Sequence, residues 1–174
     1  MTIYLKNMVC QCCVVVVRQE LEQLGLKAKV SFGEVQLSRS LLKAEQVKIS
    51  RRLKKLGLVL LIDEKEQQIQ KIKNLLLKKI ESEKVEAHFG LANYLSSKLG
   101  KDYSQITRLF SGTEGRTIEQ FFIEQKIEKA KALLNDELPL GDIARKLGYS
   151  NIGHISAQFK KVTGVTPSEF KKES

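Results

Sequence analysis

Two periodicities and one repeated phrase predict an α+β domain followed by an all-α domain built on a duplicated helical unit. Up to Asp63, short aliphatic and β-branched runs alternate with helical stripes; beyond it only helical spacing remains. Near the C-terminus, residues 109–117 (LFSGTEGRT) are echoed by residues 158–166 (QFKKVTGVT). Phe110 and Phe159, Gly115 and Gly164, Thr117 and Thr166, and Phe121 and Phe170 are each 49 positions apart. One register kept across an apolar anchor, a helix-ending glycine and a threonine cap marks a supersecondary unit used twice. Two copies are too few for a solenoid, so the unit works as a pair.

The elements follow in order. Strands are expected at 3–7, 27–32, 34–37 and 58–62, with Gly33 turning a hairpin between the middle two. Val14, Val17, Leu21 and Leu24 form a helical stripe ended by Gly25, and Leu42, Ile49, Leu53 and Leu56 form a second one ended by Gly57. Strand, helix, strand, strand, helix, strand is the split βαβ arrangement, a ferredoxin-like βαββαβ domain over residues 1–63 with both helices on one face of an antiparallel sheet. From residue 64 to 174 the chain is expected to be all helical. A polar entry at 64–68 leads into a helix carrying Ile69, Ile72, Leu76 and Ile80, and helices follow at 90–98, 104–112, 118–134, 140–147, 152–162 and 168–172. Gly100, Gly115, Gly148 and Gly164 mark the turns between them, and Pro139 and Pro167 lie at helix starts.

Composition narrows the function. The longest apolar runs, 14–17 and 58–62, fall far short of the ~18 residues a membrane span needs. The first residues lack the features of a signal peptide, so the expected compartment is the cytoplasm. Thirty Lys and Arg against twenty Asp and Glu leave a net charge of +10, which favours polyanionic partners. Both parts share the excess: eleven basic and five acidic residues up to Asp63, nineteen and fifteen after it. Neither His88 nor His154 has a nucleophile or carboxylate spaced for catalysis, and no glycine-rich phosphate loop occurs, so no enzyme is expected.

In each repeated unit a short helix, a glycine turn and a second helix succeed one another. Such a crossing leaves the second helix protruding enough to enter a major groove about 12 Å wide. Two such heads on the rigid helix 118–134 could reach successive groove faces roughly 34 Å apart. The phrases IEKAKALL (127–134), LxxIAxxLGYS (140–150) and FKKxTGxTPSEF (159–170) make the pattern specific, and over residues 67–172 the chain resembles the AraC-type regulators. That resemblance implies two helix-turn-helix subdomains on a linker helix, sequence-specific binding of double-stranded DNA and transcriptional control. RNA polymerase and a second copy of the chain are the further partners it leaves open.

With Ile106, Phe110, Ile155 and Phe159 as buried anchors, the base-facing residues are Ser104, Gln105, Thr107 and Arg108 in the first head and Asn151, Ile152, Gly153, His154 and Ala157 in the second. Arg108 suits guanine O6 and N7, and Gln105 an adenine edge. Lys160 and Lys161, with Lys101, Lys146 and Thr117, suit phosphates. The first head carries Ser111 and Gly112 where the family usually has two lysines, so its hold on the backbone is expected to be weaker.

All three cysteines, Cys10, Cys12 and Cys13, fall within four positions, a distribution suited to a ligand or redox site rather than to stapling a fold. Cys10 and Cys13 in a Cys-x-x-Cys spacing before a helix place two soft sulfur donors at a positive dipole end, which favours thiolates. Two thiolates without His or carboxylate partners suit Cu(I) before other soft metal ions, whereas Zn(II) would want two more ligands. Over 2–63 the motif and its setting resemble the heavy-metal-associated domain of copper chaperones, which implies surface capture of the metal by Cys10 and Cys13. Asn7 stands where that family has Gly, Cys12 is an added thiol, and Leu58 follows Gly57 where an aromatic is usual. A thiol redox switch and a relic fold that keeps only its packing surface compete with this reading, and Met8 is expected to pack in the core. The whole chain then reads as a transcription regulator responsive to a soft metal; a thiol-redox regulator and a metal-trafficking protein tethered by its helical half are the alternatives.

Overall fold

A computed structural model describes residues 1–8, 11–82 and 84–173; Cys10 lies outside them. Two compact units result, Met1–Asn74 and Leu75–Ser174, and the division falls inside one helix.

In the first unit the alternation becomes four strands, β1 (Thr2–Lys6), β2 (Ala28–Ser31), β3 (Glu34–Leu37) and β4 (Val59–Leu61), with helices α1 (Gln11–Gln23) and α2 (Lys43–Lys55) between them. The sheet order is β2-β3-β1-β4, every pair antiparallel. Register explains the core: Ile3 faces Val35, Leu5 faces Leu60 and Val30 faces Val35, so these side chains share one face of the pleat. Val14, Val17 and Leu21 of α1 and Ile49 and Leu53 of α2 join them in a single buried cluster, which puts both helices on that face. Met8 packs against this cluster, as its type suggests, and its sulfur accepts the Gly33 N–H at 3.2 Å.

The second stripe departs from expectation at both ends. Leu42 precedes α2 and is 70% exposed, with its N–H given to the Glu45 carboxylate at 2.9 Å; Leu56, past the helix end, is 46% exposed. Leu41, one residue earlier, supplies the buried side chain instead. Asn7, with φ 72°, occupies the left-handed region, which asparagine tolerates best among the residues other than glycine. Its Nδ2 donates to the Gly57 carbonyl at 3.1 Å and ties the start of the cysteine loop to the turn after α2.

Helix α3 (Glu64–Glu81) opens with Asp63, whose carboxylate accepts the N–H groups of Lys65 and Glu66, and it runs through both units. Within the second unit follow α4 (Leu91–Leu99), α5 (Tyr103–Glu114), α6 (Ile118–Asn135), α7 (Leu140–Lys146), α8 (Ile152–Thr163) and α9 (Pro167–Glu173). Helix α5 does not stop at Gly112. Nothing approaches the Gly112 Cβ position, and the helix runs on to Glu114 before Gly115 closes it at φ 68°, as Gly164 closes α8 at φ 87°. No helix among the described residues is long and apolar enough to cross a membrane.

Candidate nucleic-acid interface

The repeat survives as geometry. Phe110 meets Phe121 at 5.7 Å between ring centroids, and Phe159 meets Phe170 at 5.6 Å, so each copy locks its second helix to the helix that follows with the same aromatic pair. Thr117 accepts the Gln120 N–H at 3.1 Å at the start of α6; Thr166 accepts the Glu169 N–H at 3.3 Å while the Glu169 carboxylate takes the Thr166 N–H at 2.7 Å, a capping box at α9. Helix α6, about 27 Å long at the ordinary rise per residue, packs against α5 on one side of the duplication and α7, α8 and α9 on the other.

This packing leaves one face of α5 and one face of α8 exposed. Ile106 and Phe110 bury α5, and Ile155 and Phe159 bury α8, each at 2% exposure or less. Opposite them Ser104, Gln105 and Arg108 are exposed and Thr107 half-buried, as are exposed Asn151, Ile152, Gly153, His154 and Ala157, then Lys160 and Lys161. The 49-residue offset sets Ser104 over Gly153, Gln105 over His154, Arg108 over Ala157, and Ser111 with Gly112 over Lys160 with Lys161. The outward face of α5 therefore carries Ser104, Gln105 and Arg108, and that of α8 ends in the cations Lys160 and Lys161.

Local hydrogen bonds refine the roles. The Thr107 hydroxyl donates back to the Tyr103 and Ser104 carbonyls, 3.0 and 3.1 Å away, so it is already engaged. Asn151 caps α8 by accepting the His154 N–H at 2.8 Å, so its carbonyl oxygen is already engaged. The His154 ring lies within 3.3 Å of the Ser150 hydroxyl and edge-on to Tyr149. Arg108 has no carboxylate partner among the described residues, which leaves its guanidinium available for an external acceptor.

Periodicity did not single out two supporting groups. Arg116 lies over the Phe121 ring at 5.0 Å and pairs with Glu124, bracing the junction of α5 and α6. Lys126 stands 3.9 Å from the Tyr149 ring centroid, and burial lowers its pKa to about 8. Its 23-residue separation from Tyr149 left no local signal.

In the first unit Cys12 and Cys13 lie in the first turn of α1, Cys12 exposed and Cys13 half-buried, and Cys12 is disulfide-bonded. Among the described residues no three His, Cys, Asp or Glu side chains converge, and the donor set the sequence offers there is its cysteine sulfurs. Reduced, that set fits a soft monovalent ion better than a harder divalent one.

These features define a class: a helical domain with two helix-turn-helix heads on a common linker helix. A family model described as a helix-turn-helix domain matches residues 95–173. The arabinose operon regulatory protein of Salmonella typhimurium is 30% identical over 87 residues, covering 49% of this chain and 31% of that protein. The C-terminal domain of AraT, a response regulator from Geobacillus stearothermophilus, shares the fold with a TM-score of 0.56 at 20% identity, over 64% of this chain and 89% of that one. So does the DNA-binding domain of AdpA, solved with a target DNA, with a TM-score of 0.51 at 16% identity over 61% and 91%. The chain thus spans less than a third of the length of the Salmonella relative. Over residues 95–173 the chain is similar to a helix-turn-helix domain.

Proposed function

We propose that this protein is a sequence-specific regulator of transcription that binds double-stranded DNA through both heads and whose affinity responds to a soft metal at the N-terminal cysteines. The observation that carries the DNA reading is the pair of outward faces on α5 and α8, repeated at one offset, with their apolar anchors fully buried. In this reading Ser104, Gln105, Thr107 and Arg108 specify bases, Ile152, Gly153, His154 and Ala157 make a smaller, more apolar contact, and Lys160 and Lys161 hold phosphates.

The N-terminal unit is read as a ferredoxin-like domain of the heavy-metal-associated kind. Its support is the βαββαβ order, the β2-β3-β1-β4 sheet and an Asn in the left-handed position ahead of the cysteines. Cys10 and Cys13 would hold Cu(I), with Cys12 as an added donor; the bound ion would supply a soft cationic link between thiolates. The disulfide at Cys12 favours a second reading, in which thiol oxidation is the signal, because a disulfide sulfur is no thiolate donor. Duplexes selected from a random pool, titrated by gel shift with reduced protein, with Cu(I), and with oxidised protein, separate these readings. A metal effect that disappears in Cys10→Ser with Cys13→Ser supports sensing, and a change on oxidation alone supports the redox reading. Binding that ignores both treatments leaves a regulator without the proposed sensor, and no preference over random competitor removes the DNA reading itself.

A further inference from the structure

Residues 84–89 lie outside the segment the family model covers, and yet they are built into the second head. Val85 is 1% exposed, and its N–H donates to the Lys146 carbonyl at the end of α7 at 2.9 Å. The next residues close over the turn between α7 and α8. Gly148, at φ +73°, faces the Glu86 and Val85 carbonyl oxygens so closely that a Cβ there would stand 2.7 and 3.0 Å from them. Glycine is thus required twice, by the backbone and by the neighbour. The corresponding turn of the first head differs: a Cβ on Gly100 would meet nothing within 4 Å.

The connector is also held at its other end. Lys79 of α3 pairs with Glu86 at 2.7 Å and lies over the Phe89 ring at 5.0 Å, and Phe89 packs on Tyr94 and Phe122. We infer that residues 84–89 are a positioning strap for the second reading helix, acting through the Gly148 turn. The strap grips the chain just ahead of Asn151, the residue that caps α8, so the placement of Ile152, Gly153 and His154 depends on it. At the turn of the first head a Cβ on Gly100 is unopposed, so loosening the strap should disturb the half of the operator read by α8 and spare the other. This inference rests on the DNA-binding reading above.

The test uses the full chain, a duplex selected from a random pool, and hydroxyl-radical footprinting. Val85→Ala removes the buried anchor, and Gly148→Ala places a methyl against the strap carbonyls. The half-site read by α5 should keep its protection at the wild-type concentration, while the half read by α8 should need on the order of tenfold more protein, the worth of one good base contact. Equal weakening of both halves, or no change in either while circular dichroism reports a folded chain, overturns the strap. Amide exchange covers the case in which Gly148→Ala does not fold or no duplex is protected. The wild-type Val85 amide should exchange as slowly as those of the α8 core, and exchange at the unprotected rate would refute the tie without touching the DNA reading.

Discussion

Arg108→Ala tests the reading role proposed for the first head. Arg108 is exposed, lies on the side of α5 opposite Ile106 and Phe110, and has no carboxylate partner among the described residues, so truncating it removes no contact that holds the fold. Stability should then stay within about 0.5 kcal/mol of wild type, as for ordinary surface substitutions. Binding is another matter. A bidentate arginine–guanine pair is worth about 1–3 kcal/mol of discrimination, or roughly 5- to 150-fold between the right base and a wrong one. The second head cannot compensate, because Ala157 occupies the equivalent position. Fluorescence anisotropy against a panel carrying each of the four bases at every operator position, at one fixed salt concentration, reads the effect directly. Preference should collapse at one position and persist at the others. If all duplexes weaken by the same factor, Arg108 is a phosphate contact and the orientation of α5 is misassigned.

Other outcomes follow from the same faces. Lys160→Ala should weaken every duplex alike and reduce the slope of log affinity against log salt by about 0.9, one released counterion; a base-selective effect would contradict this. Gly112→Lys should both stabilise α5, by roughly 0.5–1 kcal/mol for replacing an exposed helix-interior glycine, and steepen the salt dependence by restoring a cation that the second head has in Lys161. A lower melting temperature would mean that Gly112 is needed for contacts its open surroundings do not show. Lys126 sets a pH dependence. Burial lowers its pKa to about 8 in the folded chain, below the ordinary lysine value, so the unfolded chain binds more protons above that pH and stability of the helical unit rises with pH from about 8 toward the lysine range. Melting temperature plotted against pH should climb above about pH 8 in wild type and stay flat there in Lys126→Met; a rise that survives the substitution assigns it to another group.

Much of the architecture lies in local pattern. A 49-residue offset is visible because each copy needs the same apolar anchors, helix-ending glycine and threonine cap, and these are short-range requirements. For the same reason Ile106, Phe110, Ile155 and Phe159 identify the inward sides of α5 and α8, and the outward residues follow from helical spacing alone.

What the chain does across distance was decided only by tertiary structure. A hydrophobic stripe says that one side of α2 is buried, but not where the core ends, so Leu42 and Leu56 read as interior although they flank the helix in solvent. The first head's second helix was expected to end at residue 112; in place, α5 runs on to Glu114 and is closed by Gly115. The contact of Val85 and Glu86 with the Gly148 turn joins residues more than sixty positions apart. No periodicity encodes such a contact, because it exists only when two segments, each locally ordinary, are brought together by the burial of a shared core.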